Sequence, residues 1–367
     1  MAVTNFARLN SKQKIVWSRD VWSAARDQMF VKKFLGTGPG AMIQRITELT
    51  KTEKGEKVLM QLVADLVEDG VIGDNEREGN EEEMQNFEVE LNIDLISHQV
   101  RNKGKMADQK TVINFREQAR DRLAYWLANR IDQLVFLTLS GISYALHNDG
   151  STRVGSPFPS LSFAADVSAP SSKRHLMWNG TNLVTSNTAS ITSAFVASYK
   201  LIVDAVAYAK DHYIKPLMAG GKEYYVILVK PGTLAQLKKD AEYQRAVVAL
   251  AQKDGKSSPW FTGGTVTIDG AVIHEHRLVY STTGASAGNK WGADGNVNGT
   301  RALLCGAQAL GMADLGVPEW VEKKFDYDSK VGISVDKMFG LLKPKFYSIY
   351  DKSVEDFGVL AIDLFLG

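Results

Sequence analysis

The chain has 367 residues and a mass of 40.4 kDa; 44% of its residues are hydrophobic and 23% charged, with 43 Lys and Arg against 42 Asp and Glu. At roughly 150 residues per domain this is two or three folded units with ample core, which excludes disordered and collagen-like chains, and a formal charge of +1 leaves no whole-molecule field for gathering nucleic acid or an anionic membrane, so any such contact is local. One cysteine, Cys305, forbids an internal disulfide, no signal-peptide core opens the chain, and no run approaches the ~20 apolar residues of a membrane helix, so the expectation is a protein kept in a reducing cytoplasm.

Residues 1–35 form a basic opening, with seven Lys or Arg against two Asp, net +5. Ile15, Val16, Val21, Trp22, Ala25 and Met29 recur near helical spacing, which predicts a helix or extended arm that docks on something larger. Residues 57–67 alternate Val58, Met60, Leu62, Ala64 and Leu66, and residues 87–95 alternate Phe87, Val89, Leu91, Ile93 and Leu95 with polar neighbours. A period of two is a strand signal. The Gly-, Asn- and acid-rich stretch between them reads as the tip of a long hairpin. Residues 56–94 carry thirteen acids against Lys57 and Arg77, net −11. Two strands alone bury too little to offset their ordering entropy, so this hairpin has to lie on another surface, its own domain or a neighbouring subunit.

Residues 108–139 give the clearest helix, with Phe115, Ala119, Leu123, Trp126, Leu127, Ile131 and Leu134 at steps of three and four. At 1.5 Å per residue it is a strut of ~48 Å. Arg116, Glu117, Arg120 and Asp121 mark a wet first half, and the apolar run 131–139 marks a buried far end. Residues 148–190 read as a loop between units. A helix capped by Ser190, a short buried strand 224–229, helices 233–240 and 243–253, and a hairpin turning at Asp269-Gly270 then build a compact α+β unit. The Gly-, Asn-, Ser- and Thr-rich tract 281–300 reads as a mobile exposed loop. Residues 301–310 and 358–366 are apolar and strand-like, so the ending completes a domain begun earlier.

The local motifs that could carry chemistry do not develop. Gly284-Ala-Ser286-Ala-Gly288 has the form of a nucleophile elbow, but no helix follows and all six histidines precede the serine, the reverse of the required order. Gly36-Thr-Gly38-Pro-Gly40-Ala41 fits a dinucleotide fingerprint without the preceding buried strand, and Pro39 removes a backbone donor, so it reads as a turn linking arm to body. His274 and His276 share one strand face and could offer two metal ligands, with no third identifiable. Cys305 sits in an apolar stretch, where a neutral thiol is expected. The run Glu81, Glu82, Glu83 lacks EF-hand spacing. No catalytic, cofactor-binding or metal constellation is assigned, and the chain reads as a non-enzyme.

The order of basic arm, acidic hairpin, strut helix, α+β insert and returning ending resembles the tailed-phage major capsid protein of the HK97-like fold, an α+β architecture. Residues 258–279, Tyr224-Tyr-Val-Ile-Leu-Val-Lys-Pro231, Asp356-Phe-Gly-Val and Leu91-Asn-Ile-Asp-Leu are similar to one podovirus and siphovirus branch of that family. The resemblance implies an N-arm at 1–35; an extended E-loop at 54–100 within a 36–107 segment; and a peripheral domain with spine helix and linker at 108–189. It further implies an axial domain at 190–300 and a return to the peripheral domain at 301–367. It also implies partners: the chain itself in hexamers and pentamers, a separate scaffolding protein, a portal protein, room for a decoration protein, and packaged double-stranded DNA without sequence specificity. No membrane partner is implied. The implied location is the virion capsid, assembled in the host bacterial cytoplasm. An encapsulin-type compartment shell of the same fold, or an enzyme with a dispersed site, are the alternatives.

Overall fold

The computed structural model describes residues 21, 23–25, 28–47, 57–63, 69–73, 75–79, 81, 86–106, 115–254 and 266–367. After a 3-10 turn (Val31–Phe34), β1 (Leu35–Gly36) and β2 (Ile43–Ile46) run parallel across a Gly-rich turn. β3 (Lys57–Val63) and β4 (Asn86–Asn92) form the antiparallel hairpin that the alternating pattern predicts, with Lys57 opposite Asn92. The alternation of 87–95 does not end with the hairpin. It passes through Ile93 into β5 (Asp94–Arg101), which belongs to another sheet.

The strut is α1 (Phe115–Ser140), 26 residues and so ~39 Å long; the expected start at 108 lies outside the described residues. Its wet-to-buried gradient is present: Glu117 and Asp121 are exposed, and nine of the last ten residues are buried. The expectation of an unstructured boundary at 148–190 is corrected. Within it β6 (His175–Trp178) and β7 (Leu183–Thr185) pair antiparallel, and β6 lies parallel to the last strand of the chain. The helix expected at Ser190 begins later, as α2 (Tyr199–Asp211), because the Asp240 carboxylate accepts the Tyr199 N–H at 2.6 Å and caps it from outside.

β8 (Leu217–Ala219) and β9 (Lys222–Val229) lead to Pro231, which opens α3 (Pro231–Lys239) at a position that needs no N–H, and α4 (Ala241–Asp254) follows. β10 (Val266–Ile268) and β11 (Ala271–Glu275) are joined by Asp269 and Gly270 at φ 52° and 76°, the backbone a two-residue hairpin turn requires. The ending supplies β12 (Gly299–Cys305), β13 (Leu310–Asp314), β14 (Glu319–Phe325), β15 (Lys330–Leu342), β16 (Lys345–Ser348), β17 (Ser353–Asp356) and β18 (Val359–Phe365).

Two larger sheets organise most of these strands, with β3–β4 and β16–β17 as separate two-stranded pairs. In one, β1, β2, β13, β15 and β14 lie in order, with β5 also on β15; in the other, β10, β11, β9, β12, β18, β6 and β7 lie in order, with β8 on β9. The boundary expected at residue 301 is therefore not a sheet boundary. β12 and β18 sit at the centre of the sheet that holds the insert, and only β13 to β15 return to the sheet beside the hairpin. The physical reason is burial on both faces. Leu303, Cys305, Val359 and Ala361 enter the core around α1, while Ala302, Leu304, Leu360 and Ile362 face the core under α2 and α3, and only a central strand is apolar on both sides.

The tract 281–300 is likewise pinned rather than free. Trp291 and Val297 exchange backbone hydrogen bonds at 3.1 and 2.8 Å, Thr282 Oγ1 accepts the Gly299 N–H at 2.8 Å, and Trp291 is buried. A Cβ on Gly299 would stand 1.7 Å from the Trp291 ring, so the indole rests on bare backbone.

Candidate functional site: the arm anchor, the hairpin root and the buried ion cluster

The arm enters the core through Val21, Ala25, Met29 and Val31 and is fixed by one carboxylate. Asp132 lies in the apolar half of α1, and its Oδ2 and Oδ1 accept the N–H groups of Phe30 and Val31 at 3.0 and 3.2 Å. Those donors open the 3-10 turn, whose own cap residue offers no side-chain acceptor, so Asp132 caps it from 101 residues away. Burial pushes the Asp132 carboxyl up to about 6, against the two backbone donors that favour its charged form.

Around this anchor the Phe30 ring stacks on His276 at 4.3 Å between centroids, His276 stacks on Phe136 at 5.0 Å, and Phe34 meets His274 edge-on at 5.2 Å. Burial, with the charges of Arg277 and Lys33, lowers His276 to about 4, so at neutral pH the ring is an uncharged aromatic spacer. The histidine pair that could have held a metal instead packs the arm, and among the described residues no group of three His, Cys, Asp or Glu is placed to hold an ion.

Among the described residues the hairpin is fixed at its root. Asp166 accepts both the backbone and the carboxamide N–H of Asn92 at 3.2 and 2.8 Å, and Asp94 accepts the N–H and hydroxyl of Ser162 at 2.7 and 3.1 Å. Beneath, Val58, Met60 and Leu91 pack on Ile46, Ala313 and Leu342. A Cβ on Gly340 would lie 2.2 Å from the Asn92 carbonyl, so β15 passes under the root at backbone contact distance. On the opposite face of the hairpin Leu59 is 48% exposed, and at the described part of the tip Ile72 is 80% exposed.

A third cluster joins α1 to the central strands. Arg301 forks onto Asp363 at 2.7 and 3.2 Å and donates to the Ser140 carbonyl at the end of α1 at 2.8 Å. His175 and Ser186 approach the same carboxylate at 2.8 and 2.6 Å. Burial alone would raise the Asp363 carboxyl, but the Arg301 charge and these hydrogen bonds outweigh it and hold the group down to about 2. Lys343 and Asp356 form a second fully buried pair at 2.8 Å.

The remaining sequence candidates take structural roles. Ser286 sits in a turn, its hydroxyl accepting from Asn289 at 3.4 Å. Gly38 and Ala41 close the arm-to-body turn with a 3.1 Å hydrogen bond. Cys305 is buried in β12, where burial pushes its thiol pKa up. Glu81 accepts the Gly79 N–H at 2.7 Å, and Glu82 and Glu83 lie outside the described residues. Asp132 was not singled out from sequence, although an acid inside the apolar half of a helix was a usable signal. Asp166 and Gly340 carried none.

Comparison with known proteins follows the same outline. The family model described as phage capsid protein matches residues 5–365. The major capsid protein of Pseudomonas phage KPP25 is 51% identical over 364 residues, covering 98% of this chain and 96% of that protein. Among solved structures, the capsid of Ralstonia phage GP4 superimposes with a TM-score of 0.78 at 26% identity, over 100% of this chain and 98% of that one. The capsid asymmetric unit of cyanophage Pam1 gives 0.71 at 17% identity, over 100% and 96%.

Proposed function

Because this chain belongs to the phage capsid protein family, and serves as a phage major capsid protein with the HK97-like fold, we propose that its copies tile as hexamers and pentamers. In the closed icosahedral shell the basic arm and acidic hairpin of one copy complete their burial on its neighbours. The observation that carries this is the contrast at the hairpin: carboxylate clamps and packed side chains at the root, and 80% exposure of Ile72 beyond it. An apolar side chain held out on a two-stranded arm gains burial only from a partner.

In this reading the −11 hairpin segment and the +5 arm attract across the subunit boundary. The shell forms in the host cytoplasm with a scaffolding protein, carries a portal, and encloses double-stranded DNA without reading its sequence. The role is structural rather than catalytic: the candidate nucleophile, thiol and histidines are occupied in turns and packing. Excision of residues 68–85, imaged by electron microscopy, tests the proposal. A folded, soluble protein that builds no closed particles is the expected outcome, and unchanged particles would refute it.

A further inference from the structure

We infer that Arg130, partly exposed on α1, and the buried Arg153 beside it form a phosphate-binding site for the backbone of double-stranded nucleic acid; the inference rests on the reading that the shell encloses DNA. Arg130 Nη1 donates to Gln133 Oε1 at 2.7 Å, and Arg153 Nη2 donates to the same oxygen at 3.3 Å. Two guanidinium ions are thus drawn to one neutral acceptor, an arrangement that like-charge repulsion opposes unless an anion joins them. Arg153 is held there by a 2.9 Å bond to the Leu146 carbonyl and by stacking over Phe158 at 5.1 Å, and is only 8% exposed.

Among the described residues the arginine ion pairs are those of Arg45, Arg116, Arg120, Arg174 and Arg301; neither Arg130 nor Arg153 has a carboxylate in reach. The nearest acid that acts on Arg153, Asp149, does so at longer range and is taken up by the Ser151 N–H and hydroxyl at 3.0 and 2.6 Å. The donors left on the two planar forks match the oxygens of a phosphate, which can bridge both at once.

The extent of the basic surface favours a polyanion over a single carboxylate. Arg122, Tyr125, Asn129 and Gln133 recur at helical spacing on one face of α1, and Arg277 donates to the Tyr125 hydroxyl at 3.0 Å. Guanidinium groups therefore run along that face from Arg122 to Arg130, about 12 Å at 1.5 Å per residue. A nucleic-acid strand presents three or four phosphates over that length at ~3.4 Å each. Contacts of this kind position the polymer and carry no sequence information.

The deciding measurement is binding of the purified protein to short duplexes of two unrelated sequences across about 50 to 200 mM salt. Arg130→Gln and Arg153→Gln should each lower the slope of log K against log salt by about 1, equally on both sequences. An unchanged slope, or no duplex binding by the wild type, overturns the site. Arg153 is packed on Phe158, so Arg130→Gln decides alone if Arg153→Gln does not fold. If Arg130→Gln stops particle formation, the pair belongs to a contact with an acidic segment of a second copy, and the inference fails. Inorganic phosphate that protects the wild type but not Arg130→Gln from heat, with duplex binding unchanged, would assign a small-anion site and also overturn it. Nuclease-protected DNA inside assembled particles tests the enclosure reading separately, so the site can fail while that reading stands.

Discussion

Asp363 is fully buried among strands, and its ionised form persists because Arg301 forks onto it and His175 and Ser186 approach it within hydrogen-bond distance. Removing one member of such a pair leaves an uncompensated charge, which typically costs about 3–5 kcal/mol. Arg301→Ala should lower subunit stability by that amount at pH 7, read from the denaturant midpoint with an unchanged slope. The pH dependence should change sign as well. In the wild type a carboxyl held at about 2 contributes stability that is complete above its ordinary value near 4 and is lost as pH falls toward 2. Without Arg301, burial dominates and the protonated form is favoured, so the variant should instead gain stability on acidification.

The arm anchor titrates in two opposed directions. Asp132, raised to about 6, favours docking below its unfolded value near 4 and loses that contribution as pH rises through 6. His276, lowered to about 4, favours docking above 6.5 and loses its contribution as pH falls through 4. Over the shared window between about pH 4 and 6 the two slopes oppose and cancel, so protection of the Val31 amide from hydrogen exchange, corrected for intrinsic rate, should be nearly flat there in the wild type. Asp132→Asn should uncover a rise with pH, and His276→Phe, which keeps the stack, a fall. A wild-type profile as steep as either variant's would contradict the anchor.

At the scale of elements, the hairpin's angle is set where β4 crosses β15. Gly340→Ala forces a methyl to within 2.2 Å of the Asn92 carbonyl, a contact that has to be relieved by moving the root rather than the long central strand. We expect a folded protein whose melting temperature shifts by a few degrees and whose yield of closed particles falls steeply. A variant that assembles normally would show that the root tolerates tilt.

The hairpin itself was legible because its faces alternate between Val58, Met60 and Leu91 inside and Leu59, Glu88 and Glu90 outside, a period no helix produces. The buried end of α1 was legible from the width of its apolar run. β6 was not: four residues between turn-forming segments owe their conformation to pairing with β18, a partner 186 residues away for His175 and Ala361, and strand identity borrowed from a neighbour leaves no local period. The 281–300 tract misled for a related reason. Its Gly and Asn residues are those of a free loop, and only Trp291, settling on Gly299, converts composition into a fixed structure. The two carboxylate clamps at 132 and 166 join segments far apart in sequence, so their geometry had no local trace.

The whole molecule is nearly neutral at +1, yet its charge is divided between an arm segment at +5 and a hairpin segment at −11. Neutral totals permit close approach of many copies, and the internal division orients them. Attraction between the two segments is screened over ~10 Å at 0.1 M salt and ~3 Å at 1 M, so assembly driven by it should slow as sodium chloride rises. The apolar part, carried by Leu59 and Ile72, responds in the opposite sense to sulfate, which strengthens burial. Light scattering of purified subunits at matched ionic strength should therefore show slower particle growth in chloride than in sulfate, and the gap should narrow for Ile72→Asp. Equal rates in the two salts would mean that neither the charge division nor the exposed hairpin face governs the encounter. Assembly would then depend on the faces of the folded body, with the two appendages ordered only after the copies have met.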